Sequence, residues 1–224
     1  MLVDRLVVVR HVPFEGPAAI AEWARSRGLA VVDVVATALP EVRGNDLLVS
    51  MGGPMSVNDD DAWIAEERSL IRQHLVTGGA FVGVCLGAQQ LAAAFGGTVT
   101  PAVDEHGWLP VHATQAGLEF GLPKTFVPFH WHGEACTLPP ESTLIASTDA
   151  CEAQVFTLGP RAIGLQCHLE AGLETVDALL DHCGTDLHGG EHQQSAESMR
   201  NETPDRIGAV RPILDHVLTT ISDA

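Results

Sequence analysis

The chain has 224 residues, 46% of them hydrophobic, enough apolar material for one large α/β domain spanning residues 1–224 and too little length for a comfortable pair. Its 29 acids against 12 bases leave a formal charge of −17, a surplus that repels phosphate backbones and anionic lipid surfaces, so binding to nucleic acid or to a membrane is not expected. The 5 cysteines lack the regular spacing of a disulfide framework, Met1-Leu2-Val3-Asp4-Arg5 lacks the basic-then-apolar form of a signal peptide, and no apolar run approaches the roughly 20 residues that span a bilayer; the expected location is a reducing cytoplasm.

Short β-branched runs alternate with helical patterns, the signature of a parallel sheet covered on both faces. Leu6-Val7-Val8-Val9 reads as the first strand, and residues 17–27 as a helix with Pro17 in its first turn and Gly28 just past its end. Residues 29–35 and 46–50 read as the second and third strands, and Asp61 as the cap of a helix running to about Val76. Phe81-Val82-Gly83-Val84 is the next strand. From Gly97 to Phe129 the helical pattern stops and short strands broken by Gly and Pro take over, which suggests a small antiparallel extension. Strands near residues 143–147, 153–158 and 162–167 return the chain to the core, and helices dominate beyond Glu170, one of them capped by Thr203 with Pro204 in its first turn. The polar stretch from Gly189 to Glu202 reads as a surface loop and a short helix.

Gly83-Val84-Cys85-Leu86-Gly87-Ala88-Gln89 joins a strand to a helix through a sharp turn with Cys85 at its tip. A thiol at a helix N-terminus meets unpaired N–H groups and the positive end of the macrodipole, both of which favour thiolate. The glycines leave room for the turn and for a substrate, so G-x-C-x-G is the thiol counterpart of a nucleophile elbow. A base is found downstream: Ala162-Ile163-Gly164-Leu165-Gln166-Cys167 reads as a strand ending in His168, and Glu170 two residues on points to the same side of that strand. Cys85, His168 and Glu170 then supply nucleophile, base and orienter.

With G-x-C-x-G-x-Q followed by a late H-x-E, the chain resembles the class I glutamine amidotransferases, most closely the stand-alone, GMP-synthase-like glutaminase domains. Ser50-Met51-Gly52-Gly53-Pro54 resembles the family's oxyanion loop and Trp131-His132-Gly133-Glu134 its substrate loop, in the family's order from Arg10-His11 to Glu170. The resemblance implies a flavodoxin-like three-layer α/β fold with a mostly parallel central sheet. It also implies backbone N–H donors at Gly53 and Leu86 for the oxyanion, and contacts from Gln89, Trp131, His132 and Gly133 to the amino-acid end of the substrate. The implied reaction is hydrolysis of glutamine to glutamate and ammonia through a thioester, with no metal or organic cofactor and a separate synthetase subunit to receive the ammonia. The chain departs from many relatives in carrying Ala88 where they have His, and Cys167 and Leu169 around the base.

Two other functions use the same fold: a hydrolase of γ-glutamyl amides larger than glutamine, with the same triad, and a regulatory protein whose site idles. Among the histidines, His106 with His112, His130 with His132, and His188 with His192 invite a metal reading; the last pair has helical spacing but lacks a third ligand, and no metal site is assigned. Gly52-Gly53 lacks the lysine and hydroxyl of a phosphate loop. Cys136, Cys151 and Cys183 have no catalytic context, and Cys167 reads as a small buried apolar residue. Trp108 fits the core and Trp131 the rim of the site, while Glu15 lies near the site in this topology, where a surface role is equally compatible.

Overall fold

The computed structural model describes residues 3–224, so Met1 and Leu2, part of the reading of the chain's start, lie outside the described residues. Five strands form the parallel part of the main sheet: β1 (Arg5–Arg10), β2 (Ala30–Val35), β3 (Asp46–Ser50), β4 (Ala80–Val84) and β11 (Ala162–Leu165), in the order β2-β1-β3-β4-β11. That is the flavodoxin-like order, which places a crevice beyond the carboxyl ends of the strands where the winding reverses. Antiparallel strands β10 (Val155–Leu158), β9 (Ser142–Ser147), β6 (Val111–Ala113) and β7 (Thr125–Phe126) extend the sheet beyond β11. A separate antiparallel pair joins β5 (Val99–Trp108) to β8 (Phe129–Cys136).

The central strands are apolar without alternation because both faces are covered. Leu6, Val8, Leu47, Val49, Val82 and Val84 face a core built with Ile20 and Trp23 of α1 (Ala18–Ser26), Val176 and Leu179 of α5 (Leu173–Cys183) and the stripe Leu214, Val217, Leu218 and Ile221 of α6 (Ala196–Asp223). Val7, Val9, Leu48 and Phe81, one residue out of phase, face a second core with Ile71 of α2 (Ala62–Val76) and Leu91 and Ala92 of α3 (Leu86–Ala94). A slip of one residue in any of these strands exchanges the two sets, so packing fixes the register. Among the described residues no helix is long and apolar enough to cross a membrane.

Several local expectations are revised. Asp61 stands at the N-cap of α2, but its side chain makes no capping hydrogen bond. Within the stretch read as short strands, β5 runs for 10 residues and a helix, α4 (Gln115–Phe120), intervenes. Thr114 caps α4, its side chain accepting from the Gly117 N–H at 3.1 Å, and Gly121 ends it at φ 102°; at 6 residues it is too short to show a period. The helix expected to start at Thr203 starts at Ala196, so residues 196–202 are its first turns rather than a separate short helix, and Ser195 is the cap, accepting from the Ser198 N–H at 3.1 Å. Thr203 is buried inside α6, where its hydroxyl donates to the Met199 carbonyl at 2.6 Å and accepts from Trp108 Nε1 at 3.0 Å. Pro204 and Pro212 both lie in the helix interior. Each removes a backbone donor at a cost of about 3 kcal/mol, and the apolar stripe of α6 against the sheet outweighs that cost.

Helix α3 sits unusually close to the sheet. A methyl group on Gly83 of β4 would overlap the backbone of Gly87 and Ala88, and one on Gly87 would overlap the Ser50 carbonyl. Because the obstacles are backbone, they cannot rotate away. Gly83→Ala is therefore expected to destabilise the protein by about 1–3 kcal/mol, read as a lower urea midpoint with an unchanged slope; an unchanged midpoint would show that α3 has room to move.

Candidate active site

Cys85 occupies the single residue between β4 and α3, at φ 51° and ψ −107°, a left-handed backbone rare for a side chain with a Cβ. Its N–H donates to the Leu165 carbonyl at 2.7 Å, while its own carbonyl accepts from Ala88 and Gln89 in the first turn of α3. The sheet and the helix thus grip the residue from both sides. Its thiol is 3.7 Å from the Trp131 carbonyl and 3.7 Å from Gln166 Nε2.

The sequence pattern predicts His168 at a strand end, with Glu170 brought round by the period of the strand. Instead β11 stops at Leu165, residues 166–167 leave the sheet, and His168 is held by an antiparallel bridge to Phe129 of β8. The His168 N–H donates to Phe129 O at 2.7 Å and the Phe129 N–H to His168 O at 3.2 Å. Glu170 nevertheless meets the ring, with Oε1 2.7 Å from Nδ1 and both side chains 2% exposed. Nδ1 is thereby occupied, which leaves Nε2, buried and without a hydrogen bond of ordinary geometry, as the ring atom available to sulfur. Burial disfavours the charged imidazole, but the charge of Glu170 and hydrogen bonds from the ring to Cys85 and Glu170 outweigh it, and the His168 pKa stands well above its ordinary value.

A cavity of about 410 Å³ opens over the thiol, and Cys85, Gly53, Gln89, Trp131, His132 and Gly133 all line it. Leu86 lies just beneath: a methyl on Gly53 would come within 3.3 Å of Leu86 Cδ2, so the glycine loop and the start of α3 adjoin. As the first residue of α3, Leu86 carries an N–H without an intrahelical partner. Gln89 Nε2 donates to Glu134 O and to Gln166 Oε1, both at 3.2 Å, and so ties α3 to the loop after Trp131.

Two buried networks that the sequence does not announce support this arrangement. His11 bonds the Gly52 carbonyl through Nδ1 at 3.0 Å and Glu67 through Nε2 at 2.9 Å, and Glu67 also accepts from Ser50 Oγ at 2.7 Å and Gln90 Nε2 at 3.1 Å. Burial lowers the His11 pKa, Glu67 more than restores it, and the ring is held above its ordinary value. The one legible signal is Glu67 itself, an acid on the buried stripe Ile64, Glu67, Ile71 and His74 of α2. The second network lies under the substrate loop: Glu105 faces His132 Nε2 at 3.2 Å, and Gln154 Nε2 bonds Glu105 and stands 3.3 Å from both His130 Nδ1 and His132 Nε2. Complete burial drives the His130 pKa down to about 3, so that ring is neutral.

Of the three histidine pairs weighed for a metal, His130 with His132 converges, and with Glu105 it offers three ligand atoms within 4.8 Å of one another. The Gln154 amide bridges that space. His188 and His192 lie in the loop before α6 rather than on a helix, with His188 Nε2 3.7 Å from Asp104. All 5 cysteines are free. Burial pushes the thiols of Cys136 and Cys151 up to about 11 and about 12, and that of Cys167 well above its ordinary value, so each is an inert packing residue. Trp108 is in the core, 2% exposed.

The class I glutamine amidotransferase family model matches residues 18–183, and the chain belongs to that family. A glutamine amidotransferase-like protein of Salmonella typhimurium is 29% identical over 211 residues, 87% of each chain. A glutamine-hydrolyzing GMP synthase subunit of Methanothrix thermoacetophila is 31% identical over 111 residues, a match spanning 46% of this chain and 61% of that one. A solved glutamine amido transferase of Methylobacillus flagellatus superposes with a TM-score of 0.91 over 99% of this chain and 95% of its own, at 27% identity.

The raised pKa of His168 makes stability depend on pH in a defined direction. The folded state binds this proton more tightly than the unfolded one, so the contribution is complete below pH 6.5, the ordinary value, and is lost as pH rises through the higher folded value. The stability difference between the wild type and His168→Gln, from urea melts across this window, is expected to shrink as pH rises. A difference independent of pH would mean that the ring is not preferentially charged in the fold.

Proposed function

We propose that the chain hydrolyses the side-chain amide of glutamine to glutamate and ammonia, with Cys85 as nucleophile, His168 as base and then acid, and Glu170 as the group that fixes the imidazole. The observation that carries this reading is the pairing of a thiol on a left-handed turn with a buried histidine coupled to it and held from behind by a carboxylate at 2.7 Å. His168 takes the thiol proton, the sulfur attacks the amide carbon, and the oxyanion is met by the N–H groups of Gly53 and Leu86. Each such donor contributes about 3–4 kcal/mol to the transition state. His168 protonates the departing nitrogen, and water then cleaves the thioester with the same ring as base. Gln89 and the backbone of Trp131, His132 and Gly133 hold the amino-acid end of the substrate. The chemistry needs no metal or organic cofactor.

Ammonia released here passes to a separate synthetase subunit that accepts it, and the match to a GMP synthase whose glutamine-hydrolyzing part is a chain of its own supports this reading. Five free thiols and a thiol nucleophile suit the reducing cytoplasm. A second reading, hydrolysis of γ-glutamyl amides larger than glutamine, is favoured by one feature: the cavity wall continues past Glu15 to Cys183 and Asp186.

Purified protein, alone and with co-purifying partners, is expected to release glutamate from glutamine. A diazo-ketone analogue of glutamine should add covalently to Cys85 and not to the Cys85→Ser variant. Turnover should fall by about 10³-fold or more in Cys85→Ser and by about 10²–10⁴-fold in Glu170→Gln. A folded wild type that neither labels nor turns over would overturn this assignment.

A further inference from the structure

The cavity above the thiol carries more negative charge than glutamine calls for. Glu15, Asp59, Glu134 and Asp186 line it, and no lysine or arginine does. Glutamine brings one ammonium and one carboxylate. Two of the four acids are already engaged near Ser56: Glu134 accepts from its hydroxyl at 3.1 Å and Asp59 from its N–H at 2.9 Å. Glu15 is in a different condition. It is only 6% exposed, and among the described residues its carboxylate makes no hydrogen bond and no ion pair. A buried carboxylate facing a cavity without a partner is costly, and the cost falls when a cation fills the cavity.

Its position relative to the reacting bond is defined by Gly52. A methyl on Gly52 would overlap the Glu15 carboxylate and stand 3.3 Å from His168 Cε1, so the acid and the imidazole share one small residue between them. Burial raises the Glu15 pKa, the neighbouring charge of Glu170 adds to this, and His168 and His11 oppose it. Beyond Glu15 the wall continues outward: burial raises the Cys183 thiol, and the charges of Glu15 and Asp186 raise it further, which brings these three groups into one neighbourhood. The histidine that protonates a leaving nitrogen must stand beside it. Glu15, beside that histidine, therefore flanks the amine half of the scissile amide, whereas the amino-acid half is assigned to Gln89 and the loop after Trp131.

We propose that Glu15 is a specificity-determining residue that receives a positive charge on the amine side, so that the preferred substrates are γ-glutamyl amides whose amine half carries a second cationic centre, such as the mono-γ-glutamyl amide of a diamine. This rests on the thiol-hydrolysis reading given above. Cys85 sulfur forms a bond to the γ-carbon, the C–N bond breaks, and the amine leaves with the proton held by His168. Water then cleaves the thioester, so amide and water give glutamate and the free diamine. A neutral substituent of equal length leaves Glu15 buried and unpaired, which is the basis of discrimination.

The test compares two synthetic substrates, the γ-glutamyl amide of 1,4-diaminobutane and that of pentylamine, which replaces the terminal ammonium by a methyl. In the wild type, kcat/KM is expected to favour the cationic amide by about 10–100-fold, the discrimination typical of a hydrogen bond to a charged group. In Glu15→Gln the ratio between the two substrates should fall toward unity, with Cys85 labelling by the diazo-ketone analogue and a thermal melt reporting whether the variant is folded. A wild-type ratio near or below unity in protein that still labels at Cys85 and hydrolyses glutamine overturns the cation subsite and leaves the thiol chemistry standing. A high ratio that persists in folded Glu15→Gln overturns the role of Glu15. If that variant does not fold, Glu15→Asp replaces it, and a ratio unchanged from wild type overturns the role equally. Absence of both labelling and turnover overturns the thiol reading and this proposal together.

Discussion

Everything at this site depends on a backbone conformation that an ordinary residue avoids. Holding Cys85 at positive φ costs about 1–3 kcal/mol, and the fold sustains it by gripping the residue through the Leu165 carbonyl on one side and the first turn of α3 on the other. That grip is possible only because α3 lies almost against the backbone of β4 and the Ser50 carbonyl, with Gly83 and Gly87 at the points of closest approach. The turn leaves the sulfur over the cavity rather than in either core.

The two cores explain why the remaining groups converge. Alternate residues of each parallel strand are anchored in opposite apolar clusters, which fixes the strand ends to within a fraction of a residue. The segments leaving the carboxyl ends of β1, β3, β4 and β11 then carry His11 and Glu15, Gly52 and Gly53, Cys85, and His168 with Glu170. Buried polar networks set the finer geometry. His11 and Glu67 pin the glycine loop, and Glu105, His130 and Gln154 brace His132 from beneath. Such networks stabilise a single arrangement when their members find partners.

Sequence reading reaches the elements and residues whose signal is local. β3 and the turn at Cys85 are legible because apolar runs end at glycines, and His168 and Glu170 because H-x-E follows a strand. The reason they meet is not legible: the expected strand periodicity is replaced by a bridge to Phe129, a residue 39 positions earlier in the chain (168 − 129). Thr203 and Pro204 look like a helix start, and only the packing of α6 across the sheet reveals them as interior positions. The short helix α4 has its capping threonine and closing glycine but no room for a period. The pairing of Glu105 with His132 is invisible in one dimension because it depends on the register of β5 against β8. Topology alone places Glu15 near the site, and its burial depends on the neighbouring Gly52.

The two hydrogen bonds between Phe129 and His168 have a mechanical consequence. The strand that begins with Phe129 also carries Trp131 and His132, so the wall of the pocket and the proton-carrying ring are fastened to one another rather than separately to the sheet. A push on the β5–β8 arm is transmitted to the imidazole through a lever two residues long. An assembly that leans on that arm would retune proton transfer without touching the sulfur.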